Sequence, residues 1–539
     1  MKNSLEFGKF GVMLDCSRNA VMKPQAVKKY IDILSELGYN CLMLYTEDTY
    51  EIEGQPYFGR NRGAYTQDEL RDIDAYAASK GIELMPCIQT LAHLGTIFRW
   101  KCYDDIRDCE GILLCGEEKT YKLIDDMFST LSKCFSSRTV NIGMDEAHLL
   151  GCGEYMRRNG VKDRFEILLE HLNRVAKIAE KYGFSLIMWG DMFFRLAGGG
   201  YDSADCAPEN VKSLIPDNVN LIYWDYYSTD SEQYSERIKL HEEIKENIWF
   251  AGGLWSWRGF APSNGYSVKA TKAALSACKE NGVKNVFLTM WGDNGGECSR
   301  FAMLPSLYYA ASIAHGITEE TEIEKGFQSM FGISYKAFCE VDLPHTAKVL
   351  EGAPIDPEKY FLYNDCFMGL YDNLVSDSEN KRFSKQYETL KPLYDNSDYG
   401  KVFKYLGELC RALSVKAELG IKTRNAYKDG NKEDLKELLP IYDETERLIG
   451  KFYSAYESWW MWENKPHGFD VQDIRLGGLL QRVKHCKARL AAYINGETDI
   501  IDELLTPVLD SKCRTGKDLE YIGGDYWENI VTANRITAL

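Results

Sequence analysis

Two adjacent carboxylates, Asp145 and Glu146, follow a short β-branched run that begins at Thr139. Side chains at the end of a packed strand are held rigidly and stay within reach of a ligand, as catalytic groups must be. Like charges this close favour one protonated and one ionised carboxyl group, which can then act as proton donor and as anion. The alternative is an ordinary helix N-terminus, where Asp and Glu are common because they complement the helix dipole.

The first 316 residues alternate between strand-like and helix-like segments, and this alternation predicts how the acid pair is positioned. Pro24 begins an amphipathic stretch that ends at Gly38, and Thr66 is expected to cap the next helix. Near-continuous apolar strands separated by helices indicate a parallel sheet that is buried on both faces. We therefore predict an α/β fold, a (β/α)8 TIM barrel, over residues 1–318. The predicted strands are 10–15, 41–45, 82–88, 140–144, 185–189, 221–224, 248–252 and 286–290.

The ends of these strands are where a barrel enzyme places its chemistry. Four of the eight predicted ends carry a Trp beside an acid or a second Trp. Aromatic faces pack on the apolar face of a sugar ring, whereas carboxylates and Arg bind its hydroxyl groups. One such Trp alone would more often belong to the core, but the repetition at strand ends favours a sugar site. The candidate residues are Arg18, His93, Asp145, Glu146, Trp189, Asp191, Tyr223, Asp225, Trp255, Trp257, Trp291 and Asp293.

Residues 8–315 resemble the catalytic barrel of glycoside hydrolase family 20, the β-N-acetylhexosaminidases. The family pattern H-x-G-G-D-E is similar to N-I-G-M-D-E at residues 141–146. Residues 189–191, 223–225 and 291–293 resemble the family's W-x-[DE], Y-x-D and W-x-E. Arg18 and His93 resemble its strand-one arginine and the histidine after strand three. Asn141, Met144 and Asp293 depart from the pattern, and the small α/β domain that often precedes the barrel is expected to be absent. This suggests a compact subgroup.

The resemblance implies removal of terminal β-linked N-acetylglucosamine or N-acetylgalactosamine from oligosaccharides or glycoconjugates, with retention of configuration. In this family the substrate's own 2-acetamido oxygen attacks the anomeric carbon and forms an oxazolinium ion. Glu146 would act as general acid and then as general base. Asp145 would hold the acetamido N–H, and Tyr223 the acetamido oxygen. Trp189, Trp255 and Trp291 would enclose the methyl group, while Arg18, Asp225 and Asp293 would bind ring hydroxyls.

Two other functions stay open. A retaining glycosidase with a protein nucleophile would need a second carboxylate about 5 Å from the first, for which Asp191 and Asp293 are the candidates. A catalytically inactive barrel could still bind carbohydrate, although it would not need to keep both Asp145 and Glu146.

The composition of the chain makes some classes of binding partner unfavourable. It has 539 residues with a formal charge of −17, which opposes binding to nucleic acid or to an anionic membrane surface. With no leader-like or membrane-spanning run apparent, we expect a cytoplasmic protein. The 16 cysteines are scattered, and Cys102, Cys109 and Cys115 show no C-x-x-C spacing or neighbouring His. We therefore predict no metal and no cofactor.

Beyond residue 318 the strand–helix alternation stops, and amphipathic helical patterns predict an all-α domain over residues 319–539. Long helices are expected over 400–419, 432–452 and 478–494. An unusual aromatic run spans Trp459 to Trp462. It could pack the helices on the barrel, form a lip over the substrate, or mediate a homodimer through the helical domain.

Overall fold

The computed structural model of the chain describes residues 4–197, 201, 211–346, 356–509 and 531–532. Eight parallel strands form a closed barrel in chain order, and the first strand pairs with the last. This confirms the predicted TIM barrel. The strands are β1 (Lys9–Asp15), β2 (Cys41–Tyr45), β3 (Glu83–Cys87), β4 (Thr139–Asn141), β5 (Ser185–Trp189), β6 (Val219–Trp224), β7 (Trp249–Gly253) and β8 (Asn285–Met290).

Helices follow the strands, and their ends are set by the residues that the sequence suggested. Pro24 is the first residue of α1, and Gly38 ends it with a left-handed backbone at φ +81°. Thr66 and Glu69 form a reciprocal capping box at the start of α2. The helices of this part are α1 (Pro24–Leu37), α2 (Gln67–Ser79), α3 (Glu118–Cys134), α4 (Glu154–Asn159), α5 (Arg164–Lys181), α6 (Asp191–Ala197), α7 (Ser231–Ile244), α8 (Asn264–Glu280) and α9 (Leu304–Ala314).

The side chains inside the barrel form a cluster of their own, apart from the main core between strands and helices. Because successive strand residues point to opposite faces, the strand residues of this inner cluster lie two positions apart. Met43 and Tyr45 on β2, and Ile187 and Trp189 on β5, follow this rule. Continuing the same spacing past each strand end identifies side chains that point toward the mouth of the barrel.

Strand four ends earlier than predicted, at Asn141 rather than residue 144. The backbone of Gly143, Met144 and Glu146 has φ values of +72°, +66° and +51°. A left-handed backbone cannot continue a parallel strand, so the acid pair lies on a loop beyond the sheet. The prediction that strand four extends to residue 144 is therefore wrong.

Helices predominate from Glu320 onward in the part of the chain that the structure describes. Two of the predicted long helices are longer than expected, and the third ends three residues early because a separate helix begins at Leu419. Division of the chain at residue 318 stays a prediction. The helices are α10 (Glu320–Phe331), α11 (Tyr335–Cys339), α12 (Pro357–Tyr363), α13 (Glu379–Leu390), α14 (Gly400–Lys416), α15 (Leu419–Lys428), α16 (Lys432–Glu463), α17 (Phe469–Ile494) and α18 (Asp502–Leu505).

The aromatic run at the end of α16 is part of the packing between helices and barrel. Trp459 and Trp460 are fully buried, and their indole N–H groups donate to Glu463 Oε2 at 2.7 Å and to the Lys465 carbonyl at 2.9 Å. Trp462 packs on Phe301, just before α9. This run therefore packs the helices against the barrel, as the first of the three interpretations held. Within the described residues, no helix is both long enough and apolar enough to cross a membrane.

Candidate active site

Asp145 and Glu146 lie at the C-terminal mouth of the barrel and differ sharply in their surroundings. Asp145 is buried, accepts a hydrogen bond from Gln89 Nε2 at 2.7 Å, and lies 3.1 Å from His93 Nε2. Burial opposes its ionisation, but the charge of His93 and these hydrogen bonds hold the pKa of Asp145 below its ordinary value. The Glu146 side chain is 43% exposed and faces the open cavity. One acid is thus a fixed anion and the other is accessible to solvent and substrate.

His93 connects the pair to a second buried acid, Glu47. The imidazole lies 3.7 Å from Glu146 Oε2 as well as beside Asp145. Burial would lower the pKa of His93, but the charges of Asp145 and Glu47 outweigh it and raise that pKa to about 9. Glu47 also forms an ion pair with Arg18, whose Nε lies 3.3 Å from Asp293 Oδ1. These groups form one charged chain along the cavity wall.

Asp191 lies behind the acid pair and does not line the cavity. Its carboxylate is fully buried, and Oδ2 accepts hydrogen bonds from the Glu146 backbone N–H at 3.1 Å and from Arg195 Nε at 3.3 Å. Burial and the nearby charge of Asp145 raise the pKa of Asp191 above its ordinary value. It supports the left-handed backbone of Glu146 from behind, and the expectation that it binds substrate stays a prediction.

Aromatic rings form the floor and one wall of the cavity. Trp189 is buried at the floor, 5.9 Å from the ring of Trp291. Tyr226 lies between Trp257 and Trp291 with edge-on contacts to both rings. Burial raises the pKa of the Tyr226 hydroxyl well above its ordinary value, so this group stays protonated. The residues that line the cavity are Arg18, His93, Asp145, Glu146, Trp189, Trp224, Tyr226, Tyr227, Trp257, Trp291 and Asp293.

Tyr223 and Asp225 are not among these residues. Tyr223 belongs to the main core outside the barrel, where its ring packs on His241 and Phe250 and its hydroxyl donates to Asp225 at 3.1 Å. Asp225 accepts from the Tyr227 backbone N–H at 2.8 Å and thereby stabilises the turn after β6. Because Trp224 points inward, the residues on either side of it point outward. Tyr223 and Asp225 instead line a neighbouring cavity together with Trp224 and Tyr227, and their contacts with substrate stay a prediction.

Trp255 also lies outside the cavity. It is 2% exposed and packs behind Trp257, with ring centroids 4.0 Å apart. It therefore supports the ring of Trp257 from behind, and its direct contact with the substrate stays a prediction.

Sequence reasoning missed Glu47, Gln89, Trp224, Tyr226 and Tyr227. Three of them could have been found from strand spacing. Glu47, Gln89 and Tyr226 each lie two residues beyond an inward-facing residue at the end of β2, β3 and β6. Trp224 is itself the inward-facing end of β6. Tyr227 is 57% exposed on the following loop, where no regular spacing applies.

This geometry defines a class of protein. A parallel barrel whose mouth combines a fixed carboxylate, an accessible carboxyl group and several indole rings is suited to a sugar and to acid–base cleavage of its glycosidic bond. That class is the carbohydrate-active (β/α)8 barrels.

Comparisons identify the family. The family model "Glycosyl hydrolase family 20, catalytic domain" matches residues 7–237, and "Glycoside Hydrolase 20C C-terminal domain" matches residues 334–522. Together these cover well over half of the sequence, and the chain belongs to glycoside hydrolase family 20. The second match places the helical part in the same family.

Curated relatives share 21–28% identity with the chain over the aligned regions. A "Beta-hexosaminidase" of Porphyromonas gingivalis is 28% identical over 43% of this chain and 35% of the relative. A "Hexosaminidase D" of Bos taurus is 22% identical over 44% of this chain and 67% of the relative. The chain thus spans about a third of the first relative's length. The "X-ray Structure of Flavobacterium johnsoniae chitobiase" is 16% identical with a TM-score of 0.47, covering 96% of this chain and 78% of that one.

Proposed function

We propose that the chain is an exo-acting β-N-acetylhexosaminidase that removes terminal N-acetylglucosamine or N-acetylgalactosamine by substrate-assisted hydrolysis. The observation that carries the proposal is the fixed Asp145 anion beside the accessible Glu146, within an aromatic cavity. Family membership and the names of the relatives agree with this activity.

Glu146 is the proton donor of the proposed reaction. Its side chain reaches the cavity, and its backbone is fixed by the hydrogen bond to Asp191. It would protonate the oxygen of the leaving group and then take a proton from the water that opens the oxazolinium ion. His93, 3.7 Å away, provides a cationic neighbour when Glu146 is ionised.

Asp145 holds the internal nucleophile. Its carboxylate is ionised and is oriented by Gln89 and His93. In this position it can accept the acetamido N–H and stabilise the positive charge that develops on the nitrogen. Holding the acetamido oxygen near the anomeric carbon replaces an encounter with a separate nucleophile, which is worth several kcal/mol.

Tyr226 takes the role that the sequence suggested for Tyr223. Tyr226 lines the cavity, and burial holds the pKa of its hydroxyl well above the ordinary value. The hydroxyl therefore keeps its proton, which can be donated to the acetamido oxygen. Trp189, Trp257 and Trp291 would enclose the methyl group, and Arg18 with Asp293 would bind ring hydroxyls.

The competing carboxylate mechanism has weaker support. Asp191 is fully buried and already bonded to the Glu146 N–H, so it cannot reach an anomeric carbon in the cavity. Asp293 lines the cavity but is paired with Arg18. Substrate assistance needs no further carboxylate.

A matched pair of substrates tests the proposal. The chain should cleave an aryl N-acetyl-β-glucosaminide but not the matching aryl β-glucoside, because only the first carries the nucleophile. Equal cleavage of both would favour a protein nucleophile, and cleavage of neither would favour a binding protein.

The Glu146→Gln variant provides the control for the acid. It should lose several orders of magnitude in kcat for substrates with poor leaving groups, and far less for an activated aryl leaving group that departs without a proton. Equal losses for both kinds of substrate would show that Glu146 is not the acid.

A further inference from the structure

A buried histidine and two buried carboxylates meet in the helical part of the chain. His345 ends a 3-10 turn, Asp356 precedes α12, and Glu358 lies in the first turn of α12. His345 Nδ1 is 3.3 Å from Asp356 Oδ1 and 4.0 Å from Glu358 Oε2. The two acidic side chains are 0% exposed and the His345 side chain is 7% exposed.

Several polar atoms of this cluster have no hydrogen-bond partner among the described residues. They are both ring nitrogens of His345, both carboxylate oxygens of Asp356, and Oε2 of Glu358. His345 and Asp356 lie close together, yet their geometry does not make a hydrogen bond. Leaving so many buried polar atoms unsatisfied is costly, and native proteins avoid it unless a water or an ion binds them.

Among the described residues, His345 forms ion pairs with both carboxylates of the cluster. Even a protonated His345 would leave one uncompensated negative charge if both carboxylates were ionised. Asp342 is a further acid nearby. Its carboxylate already accepts hydrogen bonds from the Asn264 side chain and from the Gly265 N–H. Lys359 is the nearest cation in sequence, but its ammonium group binds Glu297 and the Arg258 carbonyl.

We propose that His345, Asp356 and Glu358 form a structural binding site for a divalent transition metal ion, with Zn²⁺ as the best match. Nitrogen and carboxylate ligands of zinc lie about 2.0–2.2 Å from the ion, so tetrahedral ligand atoms are about 3.4 Å apart. The observed spacings of 3.3 and 4.0 Å are close to this value. Imidazole together with carboxylates favours zinc over calcium or magnesium, which prefer sites built entirely from oxygen.

The site would connect the helical part to the loop that carries Trp257. Glu358 Oε1 accepts hydrogen bonds from the backbone N–H groups of Phe260 and Ala261 at 3.1 and 3.3 Å, which leaves Oε2 for a metal. Asp356 has a left-handed backbone at φ +52°, uncommon for a residue other than glycine. A metal bound here would fix α12 against the loop after β7. None of the three residues lines the active-site cavity, so the ion would stabilise the structure and take no part in the cleavage.

Cysteine spacing, on which the expectation of no metal rests, does not predict this site. His345 is 11 residues from Asp356, and the Asp-x-Glu pair alone has no metal-binding spacing. Only the fold brings the histidine to the acids.

Metal content and thermal unfolding test the proposal on the full chain. The protein is stripped with a chelator, dialysed into metal-free buffer, and then given increasing Zn²⁺. We expect one zinc ion per chain that resists dialysis, and a rise in Tm of roughly 3 °C or more. Co²⁺ in place of zinc should give the intense visible absorption of a four- or five-coordinate site.

Substitutions locate the bound metal. Asp356→Asn and His345→Gln should each lose the retained zinc, the rise in Tm and the cobalt spectrum. Asp372→Asn removes another buried acid of the helical part, one that is already bonded to Asn364 and Arg424. It should keep the zinc stoichiometry even if it lowers Tm.

Two results would overturn the proposal. One is wild-type protein that retains well under one zinc per chain and shows no change in Tm. The other is retention of zinc by the Asp356→Asn and His345→Gln variants, which would assign it to surface groups such as the exposed Cys102 and Cys152. Because neither readout is an activity, the outcome is independent of the proposed hydrolase function.

Discussion

At the scale of single residues, Tyr223 and Tyr226 differ in what they contact. Tyr223 packs in the core outside the barrel, whereas Tyr226 faces the cavity in which the substrate would bind. Both tyrosines are buried, but only Tyr226 lines the cavity. Tyr226→Phe should lower kcat/KM by about one to two orders of magnitude, because a lost donor to a buried oxygen costs about 1–3 kcal/mol. Tyr223→Phe is the matched control and should leave kcat/KM nearly unchanged. Steady-state kinetics on one N-acetyl-β-glucosaminide measure both, and the reverse order would return the acetamido contact to Tyr223.

His93 predicts a pH dependence of stability. Its pKa is raised from about 6.5 to about 9 in the folded chain, so folding favours the protonated imidazole. The stabilisation is fully present below pH 6.5 and is lost as the pH rises through 9. Its size is on the order of 3 kcal/mol, taking 1.36 kcal/mol for each pKa unit.

Denaturant unfolding between pH 6 and 9.5 measures this effect. The free energy of unfolding of the wild type should fall with pH relative to that of His93→Gln, which lacks the titrating group. Parallel curves for the two proteins would show that His93 is not held as a cation.

At the scale of elements, the loop after β4 sets the position of the acids. Gly143 has φ +72°, and an added Cβ would lie 2.1 Å from Gln89 Oε1, the side chain that orients Asp145. Gly143→Ala should therefore lower kcat by about a hundredfold or more, because small misplacements of catalytic groups are costly. Gly81→Ala is the control, since Gly81 has φ +74° and nothing within 4 Å of the added Cβ.

Both substitutions should cost about 1–2 kcal/mol of stability from the left-handed backbone alone. Only Gly143→Ala should also lose activity, which kinetics and denaturant unfolding together will show. Full activity in Gly143→Ala would mean that the contact with Gln89 does not position Asp145.

The strands and helices were more predictable from the sequence than the mouth of the barrel. Apolar runs, Pro24, Thr66 and Gly38 were sufficient for all eight strands and for the helices that they flank. The mouth of the barrel was less predictable, because motif matching ignored which face each residue takes. Counting in steps of two from the inward-facing strand residues would have placed Tyr226 and Glu47 at the mouth of the barrel and Tyr223 in the outer core. The left-handed loop at 143–146 could not be predicted, because Met144 and Glu146 are not residues that favour that backbone.

At the scale of the whole molecule, Glu463 connects the helical part to the base of the active site. Its buried carboxylate accepts hydrogen bonds from Ser299 Oγ, the Arg300 backbone N–H and Trp459 Nε1 at 2.5–2.7 Å. The Arg300 guanidinium in turn donates to the carbonyls of Trp291 and Asp15. The end of α16 is thus linked through Arg300 to the floor and wall of the cavity.

Glu463→Gln should lower the free energy of unfolding by about 1–3 kcal/mol, since the amide cannot accept all three hydrogen bonds. Through Arg300 it should also reduce kcat/KM. Glu457→Gln, on the exposed face of the same helix, is the control and should change neither quantity. Denaturant unfolding and kinetics provide the measurements, and wild-type stability in Glu463→Gln would contradict the link.

The central claim is that the substrate's acetamido group is the nucleophile and that Asp145 holds it. The most direct measurement is the inhibition constant of a thiazoline analogue of N-acetylglucosamine, which mimics the oxazolinium ion, compared with that of the free sugar. The thiazoline should bind at least about a hundredfold more tightly to the wild type, as analogues of a high-energy state do. Asp145→Asn should lose most of this preference while its affinity for the free sugar changes little. Equal binding of the two compounds by the wild type, or a glycosyl ester trapped on a protein carboxylate, would contradict the account.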